Sequence, residues 1–254
     1  MTDPTAAVPA AADDSGDAVP PRWGMGDAAL AFVAGIVGTV LMSVLYVAVA
    51  GEDSATTNDT GLIAATLVGL WAGLFGMAWR ASKRKGSGSL ATDYGLRIEP
   101  RDIAVGIVVG LICQFFLVNV IVSLFSLIDN SVDVEQQAKE VTGDAGGLRL
   151  VVLAPFLCLG APFFEELYFR GLLQRSAVRR LGSVAGIALS AMAFGLVHAT
   201  GDISGWSSLA LITALAAFGA VLSWLAHRSG RLGPGLVAHA TFNAITLLAL
   251  AATN

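Results

Sequence analysis

Two adjacent carboxylates and a guanidinium stand in Phe163-Phe164-Glu165-Glu166-Leu167-Tyr168-Phe169-Arg170, inside an otherwise apolar run from Leu148 to Leu173. Charges of this kind cost about 2.5–3.5 kcal/mol each at the centre of a membrane helix unless they are paired or face a cavity. Ionisable groups in such a run are therefore candidates for function. On a helix, neighbours point about 100° apart, so Glu165 and Glu166 cannot share one role. Arg170 follows Glu166 by four residues, and Glu before Arg at that spacing is the favourable order for an ion pair. Glu166–Arg170 thus reads as a self-neutralised pair. Glu165 has no counter-charge on its own helix, and a carboxylate so placed is suited to general acid–base work. Pro162 lacks an N–H and can free a backbone carbonyl just before the pair. The plainer reading is a charge cluster that staples helices together.

Two further motifs meet this one in depth. The first is His198, in Phe194-Gly195-Leu196-Val197-His198. The turn between the two apolar segments falls at Leu181-Gly182; Glu165 lies 16 residues before Leu181 and His198 lies 16 after Gly182. At 1.5 Å per residue both stand about 25 Å from the bend, so antiparallel helices bring them to one height. The second is His239-Ala240-Thr241-Phe242-Asn243, whose His239 and Asn243 share a helix face. They sit roughly 12 and 18 Å along the helix from Arg231, a compatible depth. His227, beside Arg228, belongs to a turn and is read as solvated. A carboxylate with two imidazoles either binds Zn²⁺ with an open position or activates a water directly. The spacing is not the His-Glu-x-x-His of helical zinc proteases, so a metal is permitted and not demanded.

At these residues the chain resembles the CPBP intramembrane proteases, a family that includes the type II CAAX prenyl endopeptidases and proteins linked to bacteriocin self-immunity. Glu165-Glu166-x-x-x-Arg170, Phe194-x-x-x-His198 and His239-x-x-x-Asn243 match its three motifs in order, over about residues 150–250. The resemblance implies hydrolysis of a peptide bond in a membrane-associated protein or peptide. It implies that Glu165 activates water and that His198 assists, by polarising the water or holding a metal. It further implies that His239 and Asn243 stabilise the oxyanion, while Glu166 and Arg170 orient the site. A divalent metal such as zinc and a metal-free, glutamate-dependent route both remain open. Two other functions use the same residues. A non-catalytic scaffold or immunity factor keeps the motifs without turnover. A proton-coupled transporter uses the carboxylate and imidazoles as a relay, but such proteins show broken helices in both halves, whereas here the polar groups crowd into the C-terminal half.

The elements that must position these groups follow from hydropathy. The chain has 254 residues, 55% of them hydrophobic and 13% charged, with mean hydropathy +0.72. That is the composition of a polytopic membrane protein, with the lipid bilayer as its surroundings and the cell membrane as its expected place. Nothing points to nucleic acid. Apolar spans run roughly over 27–50, 60–79, 102–128, 148–178, 183–200, 207–226 and 232–252. The expectation is an all-α bundle of about seven transmembrane helices, since lipid tolerates no open sheet. Residues 1–26 read as a disordered cytoplasmic tail, 27–147 as three N-terminal spans and 148–254 as a four-helix catalytic core. Ala48-Val49-Ala50 mimics a signal cleavage site, but the long apolar run and acidic start favour a retained first helix.

Orientation follows from the cations. With the N-terminus inside, Arg22, Arg80, Lys83, Arg84, Lys85, Arg97, Arg101, Arg175, Arg179, Arg180, Arg228 and Arg231 all face the cytoplasm, which is 12 of the 15 Lys and Arg. The opposite loops are acidic, and the C-terminus lies outside. Small residues four apart, Ala34/Gly38, Gly69/Gly73 and Gly106/Gly110, permit close helix approach. Asn119 and Gln114 read as interhelical hydrogen-bonding groups, and Cys113 and Cys158 as small buried hydrophobes.

Overall fold

The computed structural model describes residues 21–54, 56, 59–134, 147–198 and 205–253. Eight helices follow one another: α1 (Met25–Ala50), α2 (Thr60–Lys85), α3 (Leu90–Tyr94), α4 (Pro100–Ser126), α5 (Arg149–Leu181), α6 (Ser183–Val197), α7 (Gly205–Ser229) and α8 (Gly233–Thr253). Among the described residues there is no strand. The fold is a helical membrane bundle. Six helices, α1, α2, α4, α5, α7 and α8, are long and apolar enough to cross a bilayer. The seventh expected span, 183–200, is the 15-residue α6. At about 22 Å it falls short of the ~30 Å hydrocarbon thickness, and it stops at the depth of His198.

Small residues set the pairing. α1 and α2 pack antiparallel, and a side chain built at Gly38 would strike the Gly69 carbonyl, just as one at Gly73 would strike that of Ala34. Gly106 and Gly110 of α4 approach Val237, Ala238 and Thr241 of α8 in the same way. Dispersion between touching backbones, rather than a hydrophobic drive, holds such pairs in lipid. Gln114 accepts a hydrogen bond from Thr246 Oγ1 on α8 at 3.4 Å, as an interhelical group should. Asn119 does not follow suit: its amide donates to the Phe115 carbonyl of its own helix at 3.0 Å, and its side chain is exposed.

The basic end of the bundle is tied by polar contacts. Arg231, in the α7–α8 turn, forks onto Asp102 of α4 through Nε at 2.8 Å and Nη2 at 2.7 Å. The two-pronged geometry suits a planar guanidinium on a carboxylate. The Leu232 and Gly233 N–H groups reach the carbonyls of Gly95 and Arg97. Of the expected tail, residues 1–20 lie outside the described residues. Residues 21–24 have no regular structure, and Trp23 is only 2% exposed, its ring tilted against Tyr94 and beneath the Arg179 guanidinium.

α5 carries the irregularity that matters most for the site. Its ladder widens to i→i−5 over Phe156–Gly160 and again over Leu167–Gln174, so π turns flank Glu165 and Glu166 on both sides. Such turns recur at functional sites, because one inserted residue re-aims the side chains beyond it. Gly182, with φ +84°, closes the hairpin into α6 as expected of Leu181-Gly182.

Candidate active site

Residues from α5, α6 and α8 meet at one depth. Glu165 Oε2 stands 3.6 Å from His198 Nε2 and 3.9 Å from His239 Nε2. Glu166 pairs with Arg170 as its spacing predicts, Oε1 to Nη1 at 2.9 Å, with both side chains fully buried. Arg170 is held further by the Gly219 carbonyl of α7 at 3.1 Å and by the Phe194 ring, whose centroid lies 4.3 Å from the guanidinium. That ring also faces His198 at 4.6 Å and His239 at 5.5 Å, and Phe218 flanks His239 at 5.7 Å. A layer of phenylalanines therefore floors the site on the side of the basic turns. The α5 wall leans on α2, where Trp71 stacks on Phe164 at 4.9 Å. Gly160 admits the Trp71 ring at the same wall, since a Cβ there would collide with it.

The hydrogen bonds fix which ring nitrogens carry protons. His198 Nδ1 lies 2.7 Å from the Phe194 carbonyl. A carbonyl only accepts, so Nδ1 must be the N–H, and Nε2 of the neutral ring is a bare lone pair. His239 Nδ1 lies 3.2 Å from Glu166 Oε1 and donates for the same reason. Both Nε2 atoms then present lone pairs toward Glu165 Oε2, which is itself buried with no hydrogen-bond partner. Three acceptors facing one another repel unless something supplies protons between them. A water molecule does so with the smallest displacement, donating to the carboxylate and to one imidazole.

Two nitrogens and a carboxylate oxygen are also donors that zinc accepts. Among the described residues, no group of three or more His, Cys, Asp or Glu side chains is already drawn together closely enough to hold an ion.

Asn243 lies beside this cluster, but its amide is committed. Nδ2 donates to the Leu157 carbonyl at 2.8 Å. The reason lies in α5. In its π turn the Ala161 N–H reaches back to Phe156, and the same register would take residue 162 to Leu157. Residue 162 is proline and has no N–H to give, so Asn243 satisfies the orphaned carbonyl. Of the six residues singled out from sequence, five form a continuous chain of polar contacts: His198, Glu165, His239, Glu166 and Arg170. Asn243 joins α8 to α5 one turn away, with its second N–H left for a ligand. Sequence reasoning missed the contributions of Phe218, Gly219, Trp71 and the Leu157 carbonyl. Only the last had a signal, in Pro162.

The match to known proteins falls on the same segment. Residues 147–245 match the family model described as Rce1-like, Type II CAAX prenyl endopeptidase Rce1-like. No curated protein and no solved structure matches the chain. The matched segment begins at Gly147, where the helix leading into α5 starts, and ends within α8, so it takes in every residue of the constellation. All three motifs lie inside residues 147–245, the segment similar to the Rce1-like, type II CAAX prenyl endopeptidases, and this match is consistent with the CPBP proteases that those motifs resemble.

Proposed function

We propose that this protein is an intramembrane endopeptidase of the cell membrane that hydrolyses a peptide bond in a membrane-associated protein or peptide. The observation that carries the reading is the buried, partnerless Glu165 Oε2 facing two bare imidazole nitrogens at 3.6 and 3.9 Å. A water held there donates to the Glu165 carboxylate and to one imidazole, and needs only a carbonyl to attack. Glu165 takes one proton as the water oxygen adds to the carbonyl carbon, and His198 Nε2 holds the other hydrogen and fixes the attack direction. Negative charge moves onto the carbonyl oxygen, where the second N–H of Asn243 stabilises it as an oxyanion donor. When the tetrahedral intermediate collapses, the C–N bond breaks and Glu165 returns its proton to the leaving amine. Glu166 orients His239 through Nδ1, and Arg170 neutralises Glu166, so the site carries one net negative charge at Glu165 instead of two.

The family match supports protease chemistry at the level of the family. Glu165→Gln tests the roles of the residues. It removes the base yet changes the volume little, so the purified variant should keep the wild-type thermal unfolding midpoint and lose cleavage of a membrane-anchored reporter peptide, followed by mass spectrometry. Undiminished cleavage by that variant refutes the assignment of Glu165. Parallel reactions with and without chelator separate a water activated by carboxylate and imidazole alone from one that needs a metal.

A further inference from the structure

A cavity lies toward the basic end of the same helices and reaches the candidate active site only at Arg170. It encloses about 740 Å³ between the chain entering α1 and the basic ends of α2, α5 and α7. At about 30 Å³ per water that is room for roughly 25 waters, far more than an inorganic ion needs. Six cationic side chains line it, Arg22, Arg84, Lys85, Arg170, Arg175 and Arg179, against one carboxylate, Asp93. Asp93 is already engaged: it accepts from Ser82 Oγ and from the Ser87 backbone N–H. Lys85 is balanced by Asp27 at 2.7 Å, and Arg170 by Glu166. Among the described residues, four of these cations, Arg22, Arg84, Arg175 and Arg179, have no carboxylate partner.

Two of these four are fixed in place by backbone. Arg175 Nη2 donates to the Gly230 carbonyl at 2.8 Å, and Arg179 Nη2 to that of Trp23 at 2.6 Å. Each guanidinium has five N–H donors, so both keep donors for a ligand. The wall also holds buried polar atoms with no partner, the Trp23 Nε1 donor and the Gln174 Oε1 acceptor. An anion satisfies the guanidinium and indole donors; a hydroxyl next to that anion would satisfy the amide oxygen.

We propose that this cavity binds the head group of an anionic phospholipid, a phosphodiester carrying hydroxyls. The location selects a lipid over a soluble phosphate. The cavity opens where four helices leave their apolar stretches, which is the depth of lipid head groups, and basic pockets between spans are where acidic head groups bind. It lies on the face that carries 12 of the 15 Lys and Arg, the face expected to meet the anionic cytoplasmic leaflet.

Native mass spectrometry of the full chain, in neutral detergent with equal phosphatidylglycerol and phosphatidylcholine of matched acyl chains, tests this. The wild type should retain one phosphatidylglycerol in preference. Removing a cation near the head group weakens binding roughly fivefold, so Arg22→Gln/Arg84→Gln should lower the preference up to about thirtyfold. Neither side chain makes a contact on which folding depends, and Trp23→Phe, which keeps an aromatic ring beneath Arg179 but deletes the Nε1 donor, gives an independent second reduction. Equal retention of the two lipids by the wild type, unchanged preference in both variants, or loss of the phosphatidylglycerol preference when inorganic phosphate is added at equal concentration overturns the proposal.

Discussion

Replacing Arg170 with methionine isolates the buried Glu166–Arg170 ion pair. The guanidinium and the Glu166 carboxylate are both fully buried, 2.9 Å apart. Methionine has similar length and fills the slot beneath Phe194, so the loss is electrostatic more than steric. A buried pair with one member removed costs about 3–5 kcal/mol, because the survivor keeps its desolvation penalty without the compensating attraction. Loss of the 3.1 Å bond to the Gly219 carbonyl and of the contact with the Phe194 face adds to it. For a protein of this size each kcal/mol moves the unfolding midpoint by about 2–4 °C, so Arg170→Met should unfold roughly 6–20 °C below the wild type. Glu166→Gln/Arg170→Met removes the stranded charge and still offers the His239 N–H an oxygen. Replacing both members of a buried pair by neutral groups is often close to neutral, so the double variant should recover most of the loss. Thermal unfolding in detergent, followed by near-ultraviolet circular dichroism, gives both numbers. A single variant as stable as the wild type, or a double variant no better than the single, refutes the reasoning that the pair is needed to neutralise Glu166.

Two other perturbations test how the elements are held. Asn243→Ala should cost about 1–3 kcal/mol by leaving the Leu157 carbonyl buried and unpaired. Pro162→Ala in the same chain supplies the missing N–H and should restore much of that stability without restoring any loss of cleavage, so thermal unfolding and activity should separate. Asp59 caps α2: its carboxylate accepts the Leu62 N–H and the Tyr46 hydroxyl, each at 2.8 Å, and the Leu62 bond above all holds its pKa below the usual value. Because the folded state lowers that pKa, the cap's contribution is present above about pH 4 and is lost as pH falls through the lower, folded value. Asp59→Ala should cost about 1 kcal/mol at neutral pH and should lose less further stability than the wild type when acidified, measured as hydrogen exchange at the start of α2.

The sequence alone determined the apolar segments, the basic and acidic ends, and the Glu166–Arg170 pair, because each depends on distances along the chain. The common depth of Glu165 and His198 was legible for the same reason: helical rise converts residue count into height. Rotation about each helix axis was not legible. A membrane helix is apolar all round, so no polar face announces which side meets a neighbour, and each π turn in α5 shifts the face by a residue. Only the packed bundle therefore decided that Glu165 turns toward both imidazoles, that Asn243 spends one N–H on the carbonyl stranded by Pro162, and that Asn119 serves its own helix. The same holds for α6, whose apolar run reads as a full span through residue 200. Its helix ends at Val197, and the His198 ring that caps it bonds the Phe194 carbonyl beside the carboxylate. Local energetics wrote the helices, and the contacts between them wrote the site.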